Sequence, residues 1–170
     1  HHVANKEALL DGLVERFVLE IELPRPDEGW RDGMWRRATS ARAAFRRHPW
    51  ALTLLESRRN PGPATLRYHD AVLGCMLRDG FSIELAGHAF ALVDAFVFGF
   101  AVQEATLPFE NGADLEDVAA DVQAAMPADE LPHLAAMIAY SLRPGYAFAA
   151  EFDYGLTLIL DGLELRRAGR

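Results

Sequence analysis

One stretch constrains this chain more than any other. Ser82 to Phe109, SIELAGHAFALVDAFVFGFAVQEATLPF, is helix-length and apolar on nearly every side, with only His88, Asp94, Gln103 and Glu104 breaking the run after Leu85. A surface helix of a globular domain keeps one polar face, so this segment has to be covered all round. In a chain of 170 residues the rest of one subunit covers roughly half of it, which leaves the other half to a membrane or a second subunit. A spanning helix needs about 20 largely uncharged residues, whereas Asp94 sits in the middle of the run and Gln103-Glu104 end it. The expectation is a core helix that also builds a homodimer, with no membrane partner.

The flanking sequence reads as further helices. Asn5 is placed to cap a first helix in which Leu9, Leu10, Leu13, Val14, Phe17, Val18 and Ile21 recur at helical spacing, stopping before Pro24. A second runs from about Trp30 to Arg47, with Trp30, Met34, Ala38, Ala41 and Phe45 as its apolar stripe and arginines on the other side. Trp35 lies off that stripe. Pro49 opens a short third helix, Trp50 to about Arg59, ended by Asn60-Pro-Gly-Pro63. A fourth, Ala64 to Arg78, terminates at Asp79-Gly80, and Ser82 caps the central helix. The acidic stretch Asn111–Glu130 is expected to be peripheral, with a short helix from Asp114 to Met126; Leu131 to Leu142 is another. The last helix, about Tyr146 to Arg166, carries Phe148, Phe152, Leu156, Ile159, Leu160 and Leu163 at helical spacing. No stretch reads as a strand of any length. The fold class is all-α.

The net charge of −8 argues against nucleic-acid binding by the chain as a whole. The charge is uneven: residues 31–59 hold eight Arg against Asp32 and Glu56, and residues 60–165 hold three Arg against sixteen acidic residues. On an amphipathic helix such a run is ordinarily a solvated face. One cysteine, Cys75, excludes an internal disulfide and suits a cytoplasmic protein; it reads as a packed thiol. One Lys against sixteen Arg suggests a GC-rich bacterial coding sequence.

Catalytic constellations are weak. Glu130-Leu-Pro-His133 has the Glu-x-x-His spacing of a carboxylate di-iron helix but lacks the second copy that chemistry needs. Glu84 and His88 are one turn apart, yet a cap-side Glu beside a hydrogen-bonded His is the commoner meaning. There is no phosphate-cradling Gly loop, Gly-x-Ser-x-Gly or His-Glu-x-x-His. The reading is not an enzyme, and no cofactor or metal is expected. What remains is a bundle with more apolar and aromatic side chains than one core needs. Two readings stand for Met34, Ala38, Leu54, Val72, Met76 and Phe96: a filled core, or the lining of a small-molecule cavity with His69, His88 or Asp94 as polar contacts. Trp35 and Tyr68 join the candidate lining because each polar tip wants a partner.

His2-Val3-Ala4-Asn5-Lys6-Glu7-Ala8-Leu9-Leu10-Asp11 resembles the junction at which the recognition helix of TetR-family repressors passes into helix four. Trp30, Asp79-Gly80-Phe81-Ser82, Phe96, Gly99 and Phe152-x-x-Gly155-Leu156-x-x-x-Leu160-x-Gly162-Leu163 are similar, in order and spacing, to the tetracycline-repressor class of C-terminal domain. The resemblance implies a homodimer whose central and last helices form a four-helix bundle with the partner's, here through Phe100, Phe148, Phe152, Leu156, Ile159 and Leu163. It also implies an effector cavity in each subunit and an upstream DNA-reading helix-turn-helix domain. Residues 1–6 would be the end of that domain, 7–23 the connecting helix and 24–170 the effector-binding and dimerisation domain. His2 and Lys6 match positions near the operator backbone, which set register rather than read sequence. The tetracycline repressor holds a magnesium chelate partly through a His on its sixth helix, and Trp50 to Arg59 contains none. Another apolar or aromatic effector is therefore expected, for a ligand-responsive regulator that releases operator DNA. The alternatives are a helical dimeric interaction module without effector and, third, a bundle enzyme. Asp94 is placed either to pair across the interface or to line the pocket.

Overall fold

The computed structural model describes residues 5–57, 61–107, 118–122, 124 and 130–169. Its helices are α1 (Lys6–Val18), α2 (Trp30–Arg47), α3 (Trp50–Ser57), α4 (Pro63–Arg78), α5 (Ile83–Thr106), α6 (Pro132–Ser141) and α7 (Phe148–Ala168). No strand occurs among the described residues. Residues 118–122 and 124 are also helical; the rest of the helix expected from Asp114 to Met126 lies outside the described residues. The chain divides into two compact units, 1–105 with 155–170 and 106–154, so that α7 begins in one and ends in the other.

Local chemistry sets most of the boundaries. The Asn5 side chain accepts the Ala8 N–H at 2.9 Å and opens α1; Ser82 Oγ accepts the Leu85 N–H at 3.1 Å and opens α5. Gly80 ends α4 with a φ of 88°, a conformation open to glycine at little cost. Helix α1 stops at Val18, earlier than the proline alone would require. The reason is tertiary: the Glu22 N–H goes to Ser40 Oγ on α2, and the Glu20 carboxylate goes to His48 and Arg47.

Two helices begin at glycines that have no side chain to cap with, and each is capped by a carboxylate from elsewhere. At α2, whose N-cap is Gly29, Asp79 Oδ2 takes the Trp30 N–H at 2.6 Å. At α4, whose N-cap is Gly62, Glu15 of α1 takes the N–H groups of Ala64 and Thr65 and the Thr65 hydroxyl, at 2.5, 3.2 and 2.8 Å. Around Asp79 the Trp30 ring packs on Phe81 and donates to Glu164, while Arg167 donates to the Asp79 carbonyl. That cluster fixes the end of α7 to the start of α2.

Helix α5 divides as its composition demands. Ala86, Ala89, Val93, Val97, Phe100 and Ala101 are buried, whereas Leu92 and Val102 remain 48 and 37 % exposed. Among the described residues α5 is the one helix long and apolar enough to cross a membrane, a test that the core helix of a globular protein also passes. Helix α7 divides similarly: Phe152, Leu156, Leu160 and Leu163 are buried, and Tyr154, Leu158 and Leu165 are exposed.

Candidate functional site

In the first unit α2, α4 and α5 converge on a charge. Arg37 is 1 % exposed, the one charged residue buried among those described. It follows Met34 by three positions and precedes Ala41 by four, so a regular helix carries it inward with them. From α5, Asp94 accepts from Arg37 Nη2. The rings of Tyr68 on α4 and Phe90 on α5 stand 5.3 and 5.5 Å from the guanidinium carbon, within cation–π range. Nη1 faces the Met34 sulfur at 4.0 Å, and Nε has no hydrogen-bond partner. His69 sets its ring edge-on to Phe90 at 4.9 Å.

The electrostatics follow from burial. Desolvation lowers the Arg37 pKa, but an arginine starts so high that the guanidinium stays charged. Burial raises the Tyr68 hydroxyl, with the Arg37 charge pulling the other way, so Tyr68 remains a protonated donor at neutral pH. Burial and then the Arg37 charge hold His69 below its ordinary value, which leaves the imidazole neutral. The site thus offers one fixed cation, a neutral phenol and a neutral imidazole against an apolar background. It holds no nucleophile and base in contact.

The residues expected from the sequence fall into separate places. Met34, Ala38, Val72 and Met76 are completely buried, and Tyr68 is 8 % exposed beside Arg37. Leu54, on α3, is half-buried. Trp35 faces away from this group, into a surface cleft of about 530 Å³ lined with Glu20, Glu22, Arg36 and Arg47 among others. Phe96 packs on Phe100 and meets α7 where Gly155 has no side chain: a Cβ there would fall 2.7 Å from the ring. Asp94 pairs with Arg37 of its own chain. His88 lies on the surface, 3.9 Å from Glu84. Sequence reasoning placed the α2 arginines in solvent and so missed Arg37, and with it Phe90. The available signal was the spacing of Arg37 within its own apolar stripe.

Of the residues expected at an interface, Phe100, Phe152, Leu156 and Leu163 are buried within the chain, and Ile159 and Phe148 are half-buried. Phe100 lies under the Arg42 guanidinium, 4.8 Å from its ring centroid, which Glu104 grips with both carboxylate oxygens at 2.5 and 3.0 Å. Lys6 is exposed in the first turn of α1, and His2 lies outside the described residues. Among the described residues no three His, Cys, Asp or Glu side chains gather to hold a metal, and α3 carries no histidine.

Residues 23–167 match the family described as tetracyclin repressor-like, C-terminal domain. The chain is similar to the HTH-type transcriptional repressor DrrR1 of Streptomyces coeruleorubidus, 29% identical over 180 residues that cover 99% of this chain and 65% of that protein. It is 30% identical over 169 residues to the tetracycline repressor protein class A from transposon 1721 of Escherichia coli, covering 98% of this chain and 74% of that one. Among solved structures, TetR(class A) in complex with 5a,6-anhydrotetracycline and magnesium is similar with a TM-score of 0.61 and 27% identity, covering 96% of this chain and 78% of that chain. The chain therefore spans 65% to 74% of the length of these curated relatives.

Proposed function

Since the chain belongs to the tetracyclin repressor-like, C-terminal domain family, we propose that it is the effector-binding and dimerising part of a cytoplasmic, ligand-responsive transcriptional repressor. A small apolar or aromatic effector enters the region between α2, α4 and α5, and its binding releases operator DNA from the helix-turn-helix domain that the relatives possess. The observation that carries this reading is the Arg37, Tyr68 and His69 group: hydrogen-bonding side chains set among fully buried apolar residues, with no catalytic partner arrangement. Met34, Ala38, Tyr68, His69, Val72 and Met76 are the proposed lining, with Leu54 and Phe96 at its margins; Trp35 contributes from the opposite face of α2 only if that cleft is part of the response.

Coupling to DNA would run through α1. Its Glu15 caps α4, the helix that carries Tyr68, and its Phe17 packs on Phe45 at 4.9 Å and on Trp50 at 6.3 Å. A shift of α4 or α3 on effector binding therefore pulls on the helix nearest the DNA reader. By linkage, effector and operator weaken each other's binding by the same factor.

A thermal-unfolding screen of aromatic and polycyclic compounds tests the proposal. An effector raises Tm with one molecule bound per chain, and the same compound lowers operator affinity of the protein carrying its DNA-reading domain. A folded dimer that no compound stabilises would favour a pure interaction module. Chemical turnover of a bound compound would favour an enzyme.

A further inference from the structure

The effector reading above leaves the chemistry of the effector open, and the unmet hydrogen-bonding capacity around Arg37 narrows it. A guanidinium carries five N–H donors in a rigid fork. Asp94 occupies Nη2, Nη1 has only a thioether sulfur for company, and Nε has nothing. The Tyr68 hydroxyl, in the ring that covers the same guanidinium, makes no hydrogen bond among the described residues. The Arg37 Nε–H, a buried donor without an acceptor, costs folding free energy that an apolar residue of similar shape would not. Donor without acceptor is also the pattern that a hydrogen-bond-accepting ligand completes. We propose that Arg37 anchors the effector, and that the effector is an aromatic compound bearing an acidic group whose oxyanion is bound by the Arg37 fork and the Tyr68 hydroxyl. The proposal rests on the effector reading and specifies its ligand class.

The surroundings select for the same class. The Tyr68 and Phe90 rings suit a flat hydrophobic body, and His69 is neutral. Asp94, 37 % exposed, pairs with the guanidinium from one donor and leaves the rest of the fork available. Arg37 combines planar bidentate recognition of oxyanions with stacking on aromatic faces, which a lysine would not.

A matched pair of fluorescent probes separates charge from shape: 8-anilinonaphthalene-1-sulfonate and N-phenyl-1-naphthylamine, which lacks the sulfonate. The anionic probe should bind about tenfold more tightly, the equivalent of one charge-assisted hydrogen bond. Arg37→Met should abolish that preference while leaving the neutral probe's affinity within about twofold. Asp94→Asn, which frees a further donor, should increase it. Equal affinity of the two probes, or a preference that survives Arg37→Met, overturns the acidic-effector proposal and leaves the effector reading standing. Failure of the folded protein to bind either probe overturns both. If Arg37→Met does not fold, an unchanged preference in Asp94→Asn is sufficient to reject the anchor.

Discussion

Arg37 and Asp94 form an ion pair whose two ends live in different media: the guanidinium is 1 % exposed and the carboxylate 37 %. The dry end needs the wet one. Removing one partner of a fully buried pair typically costs about 3–5 kcal/mol. Asp94→Ala lets water reach the gap, so a loss of about 2–3 kcal/mol is expected, below that range. Arg37→Met removes the charge and the desolvation together and should cost less than Asp94→Ala. Urea unfolding of the two variants measures the order; an equal or reversed order would show that Asp94 does not compensate the buried charge.

The cap that Glu15 supplies to α4 should be visible as a pH dependence. Burial works against its charge, but the Ala64 N–H and then the Thr65 hydroxyl and N–H outweigh it and hold the carboxyl below its ordinary 4.5. The folded state thus binds this proton less readily than the unfolded one. The stabilisation is complete above pH 4.5 and is lost as pH falls through the lower folded value. Glu15→Gln should cost about 1 kcal/mol at pH 7, as loss of a helix cap does, and the gap to the parent should close in acid. Gly62→Ala should mimic it at neutral pH, because a Cβ at position 62 would collide with the Glu15 carboxyl group.

The helices were legible because their ends are local. Asn5, Ser82 and Gly80 each act within three residues of the boundary they set, and the apolar stripes have a period that no tertiary contact can alter. What was hidden is non-local. Gly29 and Gly62 look like weak starts until Asp79 and Glu15 arrive from 50 and 47 positions away in the sequence. Arg37 was assigned to solvent by residue type although its spacing from Met34 and Ala41 put it inside. The α7 stripe reads from sequence as a dimer interface, but a stripe does not announce whether its own chain or a partner covers it. For Leu156 and Leu163 the chain itself suffices.

Helices α5 and α7 meet closely at one point. Gly155 leaves room for the Phe96 ring, and a Cβ there would sit 2.7 Å from Cε2. Gly155→Ala gains up to about 1 kcal/mol of helix propensity but overpacks a contact at about 1–3 kcal/mol, so net destabilisation is expected. In a Phe96→Leu background the same substitution should become stabilising. Thermal unfolding of the four proteins of this double-mutant cycle gives the coupling; additivity within about 0.5 kcal/mol would mean that Phe96 yields freely.

The proposed homodimer would form on the faces left uncovered on α5 and α7. Leu158 and Leu165 are 55 and 76 % exposed on α7, and Leu92 is 48 % exposed on α5, whereas Leu156, two residues from Leu158, is fully buried. Apolar side chains repeated along one helix face in water are stabilised by a covering surface, and a second copy presents the matching pair of helices. Leu158→Glu and Leu92→Glu should therefore give folded monomers, with helical circular dichroism retained and the sedimentation mass halved. Leu156→Asp places a charge in the core and should unfold the chain instead. The contrast separates neighbouring positions on one helix by which body covers them. A Leu158→Glu, Leu92→Glu double variant that remains a dimer of parental stability would move the interface to another face.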